Sequence, residues 1–309
     1  IVVLFIVSLL VFLLTNFIGD PVDMLVPENA TLEQIESART RLGLDKSLPV
    51  QYGIFIRDVL HGNFGKSYTY GKPAMDLIFE RMPATLELVA VAACLVLCIA
   101  IPLGVYAGAY PKRASSKLIM SGSILGISLP SFWVGMMMIY IFAVVLRLLP
   151  ASGRGNTVMV GNVALSIFAP GGIRYVILPA ITLALTNVAT MLRLTRSGIL
   201  ENMRQDYIKF ARAKGVPAKS ILFGHALKNA LIPVVTIFGM DLGNMIAFTT
   251  ITETIFAWPG MGKLLIDAIN KSDRPIIVAY LMAAACMFVV LNFIVDILYT
   301  LIDPRIELR

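Results

Sequence analysis

Long apolar runs separated by short polar loops dominate the chain. Six of them, about 1–18, 84–110, 118–149, 175–194, 230–256 and 276–302, qualify as membrane spans, since crossing a hydrocarbon core of ~30 Å takes roughly 20 apolar residues in a helix. The run 118–149 is long enough to tilt or to extend past the bilayer. A shorter apolar patch, 158–169, is followed by Pro170-Gly171-Gly172 and is expected to be interfacial or re-entrant on the outer side. The largest polar region, 19–83, carries helix signals of its own. Thr31 with Gln34 makes a capping box for a helix ending near Gly43, and 50–60 and 74–82 give a second and a third. The pattern therefore predicts an all-α membrane protein of six transmembrane helices, with a helical insert between spans one and two.

Polar positions inside the spans are few. Ala100, Gly104 and Gly108 recur every four residues, a spacing that lets helices pack closely. Pro130, in Gly126-Ile127-Ser128-Leu129-Pro130-Ser131-Phe132-Trp133, removes a backbone hydrogen bond and predicts a kink in the third span. Ser128 and Pro130 either line a pathway or mark a structural kink. Asp241 lies deep in the fifth run with Asn244 one turn on. A carboxylate in lipid is costly, so Asp241 is expected to face the bundle interior, a partner or water. It either lines a translocation path or bonds another span. Asp296 and Asn292, toward the inner end of the last run, have packing or anchoring roles.

Charge sets the topology. The most basic stretch is 201–233, between spans four and five. There Met203, Tyr207, Phe210 and Ala211 recur at helical spacing, with Arg204, Lys209, Arg212 and Lys214 between them. This predicts a short amphipathic helix capped by Gly215, and Pro217 blocks its continuation. The segment is either a basic loop held in the cytoplasm by its charge or a lever on which something soluble pushes. Lys112, Arg113 and Lys117 join spans two and three, so both loops are placed inside and 150–174 outside. An even span count puts both termini in the cytoplasm, in agreement with Arg305 and Arg309. The resulting plan is a first span at 1–18, an extracytoplasmic insert at 19–83, a transmembrane core at 84–302 with a cytoplasmic loop at about 198–229, and a cytoplasmic tail at 303–309.

Composition narrows the function. Of 309 residues 58% are hydrophobic and 15% charged, with a mean hydropathy of +0.82, which describes a polytopic membrane protein. The net charge of +7 reflects basic residues in short loops, so it reports topology and not nucleic-acid binding. Cys94, Cys98 and Cys286 all lie in apolar runs and are expected to be free buried thiols. The chain does not open on Met, so its start is expected upstream; 1–18 lacks a small-residue cleavage site and is taken as an uncleaved span. Gly65-Lys66-Ser67 is no phosphate loop, because Leu60 stands where the first glycine must be. His61 and His225 fall on opposite sides of the membrane, and no nucleophile elbow is present. The chain is expected to be non-catalytic by itself, with no cofactor and no metal.

Particular motifs carry a resemblance. Asp206-Tyr207-Ile208-Lys209-Phe210-Ala211-Arg212-Ala213-Lys214-Gly215, followed by the run from His225 to Pro233, resembles the cytoplasmic loop of binding-protein-dependent ABC importer permeases, in their dipeptide, oligopeptide and nickel branch. The wider family's loop begins Glu-Ala-Ala; here Lys209, Phe210 and Ala211 hold those positions and only Ala211 keeps the pattern. The stretches 43–52, 83–88, 126–133, 252–262 and 303–305 are also similar to that branch, so the resemblance runs from Gly19 to Arg305. It implies the type I ABC importer permease fold in the bacterial inner membrane. It implies that Asp206 to Gly215 form the coupling helix, docked on an ATPase. Implied partners are a homologous second permease, two ABC ATPases that carry ATP and Mg, an extracytoplasmic substrate-binding protein and membrane lipid. The insert then either contacts the binding protein or caps the outer ends of the spans. The implied cargo is di- or oligopeptides, with nickel or other metal chelates and glutathione as alternatives. A stand-alone channel or ion-coupled carrier is the alternative of another class; it predicts more ionisable residues in the spans or an internal repeat, and neither is present.

Overall fold

The computed structural model describes residues 2–17, 31–41 and 43–302. Eleven helices follow in order: α1 Val2–Phe17, α2 Leu32–Arg41, α3 Leu48–Leu60, α4 Ala74–Ala109, α5 Ala114–Ser128, α6 Ser131–Val145, α7 Ile173–Asn202, α8 Asp206–Ala213, α9 Ala218–Ile255, α10 Met261–Asn270 and α11 Arg274–Ile302. Between α6 and α7 lies a two-stranded antiparallel hairpin, β1 Val158–Val160 and β2 Val163–Leu165. The helices α4, α7, α9 and α11 are each long and apolar enough to cross a membrane. The pair α5 and α6 forms a fifth span if counted together, and α1 is shorter. A count of six thus needs both the bent pair and α1 to cross.

The chain divides into two compact units. The first comprises Ile1–Pro83 and Pro259–Val289. The predicted capping box opens α2: the Thr31 amide donates to Gln34 Oε1 at 3.0 Å and the Gln34 amide to Thr31 Oγ1 at 3.4 Å. Phe12 of α1 packs edge-on against Tyr52 of α3, and the Ser8 and Tyr52 hydroxyls lie 2.9 Å apart. The apolar core of the unit joins Leu77 and Ile78 to Met261, Leu264, Ile276 and Ile277. Ser67, from the rejected phosphate-loop look-alike, donates instead to the buried Asp273 carboxylate at 2.6 Å, and the Thr69 amide reaches the same oxygen at 3.0 Å.

The second unit comprises Ala84–Trp258 and Val290–Arg309. Here α4 lies against α7 at the predicted small-residue stripe. A Cβ on Gly104 would sit 2.6 Å from Thr195 Cβ, and one on Gly108 2.7 Å from Ile199 Cβ, so neither position admits a larger residue. The buried Glu87 carboxylate accepts from Arg154 Nε at 2.9 Å and from the Ser166 and Ile167 amides at 2.7 and 2.6 Å.

Several expectations are corrected. Residues 74–82 are not a separate helix: α4 continues through Pro83, because Leu77 and Ile78 are held in a packed core that offsets one missing backbone bond. The third span does not merely kink. It breaks by 105° between α5 and α6, since Pro130 drives Leu129 out of the helical region to φ −89°, ψ 129° and itself starts the next helix. The patch 158–169, expected to be interfacial or re-entrant, opens with the hairpin: Val158, Val160 and Val163 are β-branched and the Gly161-Asn162 pair closes the turn, with Gly161 at φ +63°. All three cysteines are exposed on helix surfaces instead of buried. Trp258 is fully buried and donates its indole N–H to the Ala84 carbonyl at 2.9 Å.

Candidate translocation cavity and coupling helix

A polar cavity of about 340 Å³ opens between α7 and α9. From α7 it is lined by Thr182, Thr186 and Thr190, which follow one another at four-residue steps, and by Asn187. From α9 come Asp241, Asn244, Phe248 and Thr252, and Ser131 enters from the first turn of α6. The structure therefore brings the expected Asp241 and Asn244 into one site, and the Asn244 side chain interacts with the Asp241 carboxylate. Thr182 and Thr190 donate their hydroxyl protons to carbonyls of their own helix, at 2.9 and 3.2 Å, and the Asn187 amide does the same at 3.3 Å. The two threonines are left with oxygen acceptors for the cavity, and Asn187 with its amide oxygen and one remaining N–H.

Ser128 and Pro130 do not line this cavity. The Ser128 hydroxyl donates to the Ile124 carbonyl at 2.9 Å, and Pro130 acts indirectly, by starting α6 so that Ser131 reaches the rim. The α7 threonines were missed in the sequence, although their four-residue period within an apolar run is a visible signal. Asp296 lies outside the side chains the structure describes.

The basic loop between α7 and α9 forms α8, with Gln205 extended at its start and Gly215 at φ +78° just beyond its end, as a helix C-terminus requires. The face that packs is not the predicted one. Ile208 is the fully buried residue of α8, set among Val105, Ile199, Ile221, Ala226 and Ala230, with Ala211 and Met203 beside it. Phe210 is 62% exposed and Tyr207 39%. Met203 and Ala211 thus face inward with Ile208, whereas Phe210 and much of Tyr207 face outward among Lys209, Arg212, Ala213 and Lys214. The Lys214 ammonium lies 4.5 Å from the Phe210 ring centre, and Lys209 pairs with Asp206 at 2.8 Å. The Lys209 ammonium holds the Asp206 carboxyl below the usual carboxylate range. The Tyr207 hydroxyl donates to Asn202 Oδ1 at 2.7 Å and accepts from Asn229 Nδ2 at 3.0 Å. Asn202 ends α7 and Asn229 lies about three turns into α9. So α8 is tied to the two helices that also line the cavity.

Residues 100–308 match the family described as the binding-protein-dependent transport system inner membrane component, and residues 1–89 match the corresponding N-terminal family. The chain belongs to this family. The permease is 37% identical to the probable D,D-dipeptide transport system permease DdpB of Escherichia coli K12, over 97% of this chain and 92% of that one. It is 39% identical to the di/tripeptide transport system permease DppB of Pseudomonas aeruginosa UCBPP-PA14, over 97% and 94%. The oligopeptide transport system permease AppB of Bacillus subtilis 168 is 38% identical, over 94% and 90%. Among solved structures, the inward-facing MetNI methionine ABC transporter matches with a TM-score of 0.57 at 16% identity, over 74% of this permease and 97% of that chain. That likeness shows the type I ABC importer permease fold. Family membership removes the stand-alone channel or carrier as a reading.

Proposed function

We propose that this permease is one of the two transmembrane subunits of an ATP-driven importer and carries di- or oligopeptides across the bacterial inner membrane by alternating access. The observation that carries the mechanism is the shared pair of helices: α7 and α9 form the walls of the Asp241 cavity and also grip α8 through Ile208 and Tyr207. The exposed, basic and aromatic face of α8, with Phe210 at its centre, meets an ATPase subunit. Closure of two such ATPases around ATP and Mg moves α8, and α7 and α9 tilt with it, so the cavity opens to one side of the membrane and then to the other. The chemistry of hydrolysis belongs to those subunits. Peptides are the cargo favoured by the curated relatives at 37–39% identity. On this reading a homologous second permease completes the path, an extracytoplasmic binding protein delivers the cargo to the 19–83 side, and both termini are cytoplasmic.

The test is purification of the permease from its native membrane in mild detergent, with mass spectrometry of its companions. Recovery of ATPases, a second permease and a binding protein loaded with peptide is expected. Recovery of this chain alone, or of a binding protein loaded with a metal chelate or glutathione, overturns the assembly or the cargo respectively.

A further inference from the structure

We infer that the Asp241 cavity is a recognition site for the primary ammonium group at the amino terminus of an entering peptide. The inference rests on the proposed peptide path and adds to it which end of the cargo this chain holds.

The argument comes from the balance of donors and acceptors. Asp241 is the one charged side chain lining the cavity, and no Lys, Arg or His lines it among the described residues. The neutral polar groups are biased toward acceptance. Thr182 and Thr190 have given their hydroxyl protons to backbone carbonyls of α7, which leaves hydroxyl oxygens for a guest, and Asn187, with one N–H spent in the same way, adds its amide oxygen beside one N–H. An ammonium group has three donors and no acceptor. A carboxylate has only acceptors and would meet Asp241 with like charge. The site therefore fits the amino end of a zwitterionic peptide and opposes its carboxyl end. The apolar part of the lining, Leu183, Met245 and Phe248, is available for the first side chain. It follows that the peptide's carboxylate is met outside this cavity.

The experiment uses the assembled transporter in nanodiscs without its binding protein, so that selection by the binding protein does not enter. Cys94, Cys98 and Cys286 are replaced by Ser, and Thr186→Cys places one thiol in the cavity wall. The rate of labelling by N-ethylmaleimide is followed against the concentration of Ala-Ala, N-acetyl-Ala-Ala and Nα-acetyl-Lys-Ala; Thr190→Cys serves if the first variant does not assemble. Ala-Ala is expected to slow labelling. N-acetylation, and separately Asp241→Asn, are each expected to weaken that protection about tenfold or more, the factor lost with one charge-assisted hydrogen bond, and Asp241→Glu to restore it. Equal protection by Ala-Ala and its N-acetyl form overturns the ammonium assignment and leaves the peptide path standing. Protection by Nα-acetyl-Lys-Ala as strong as by Ala-Ala reassigns the site to a side-chain ammonium and overturns the terminal one. An unreactive thiol, or one that no peptide protects at either position, takes the cavity off the path and overturns both readings.

Discussion

Replacing Ile208 separates the two jobs assigned to α8. The side chain is fully buried in a cluster contributed by α4, α7 and α9. Ile→Ala removes three carbons, a transfer term of about 2.4 kcal/mol at ~0.8 kcal/mol per buried methylene. The cavity left behind raises the loss toward about 4 kcal/mol where neighbours relax little. Val105, Ile199 and Ile221 come from different helices, so relaxation is limited and the upper half of that range applies. The ratio of docked to undocked α8 should then fall roughly 100- to 1,000-fold, at tenfold per 1.4 kcal/mol. The exposed face, with Phe210, is untouched. Ile208→Ala should therefore still bind ATPase subunits while transport per ATP hydrolysed drops sharply. Phe210→Ala, at a side chain 62% exposed, should do the opposite: α8 stays docked and the ATPases are lost on purification. The assay is peptide uptake and phosphate release measured on the same proteoliposomes, with subunit recovery from the same preparation. Ile208→Ala with unchanged uptake per ATP would refute the idea that burial of this side chain transmits the stroke.

Two further substitutions follow from backbone and charge. Gly215→Pro is expected to abolish transport while the protein still inserts, because proline near φ −65° cannot take the +78° found there and the Gly215 amide bond to the Arg212 carbonyl is lost; membrane fractionation with an uptake assay checks it, and wild-type uptake would sink the lever. Glu87→Gln leaves the Arg154 guanidinium buried without its counter-ion and should destabilise the second unit by about 3–5 kcal/mol, read as a lower midpoint in thermal unfolding of the detergent-solubilised complex; an unchanged midpoint would show that the ion pair is compensated.

Where a feature depended on neighbours in sequence, it was legible. Thr31 and Gln34 reach each other within one helical turn, and Gly215 and Pro217 mark a helix end by their own backbone restrictions. The Gly104–Gly108 stripe was legible because a four-residue repeat keeps one face. The direction in which a helix turns that face was not. In α8 apolar side chains stand at 207, 208, 210 and 211, which wrap most of one turn, so spacing alone did not select Ile208; its burial is decided by Val105, Ile199 and Ile221, which belong to other helices. Pro130 announced a disruption, but no local rule gives the 105° between α5 and α6. The Glu87–Arg154 pair spans 67 residues, and no local rule joins its members. Asp241 stood out because a carboxylate is rare in an apolar run. The threonines opposite it did not, because threonine returns its proton to its own helix and passes as a spanning residue.

The close approach of α7 and α9 next to α8 bears on how a push at α8 reaches the cavity. A Cβ on Gly198 would lie 3.0 Å from Ala230 Cβ, so the helices meet there nearly backbone to backbone. Just beyond, Asn202 and Asn229 share the Tyr207 hydroxyl. A contact that tight has little room to slide, since packed interiors resist compression and repack in discrete steps. Further along, between Thr186 and Asp241, the same two helices are separated by open volume. A force applied at α8 therefore meets a stiff joint first and a compliant gap second, and the pair tilts about the joint instead of separating at it. The lever then acts on the cavity through geometry alone, with no residue required to relay it side chain by side chain. Widening the joint with a single bulky residue at Gly198 places the compliance next to α8, where tilting is absorbed before it reaches Asp241.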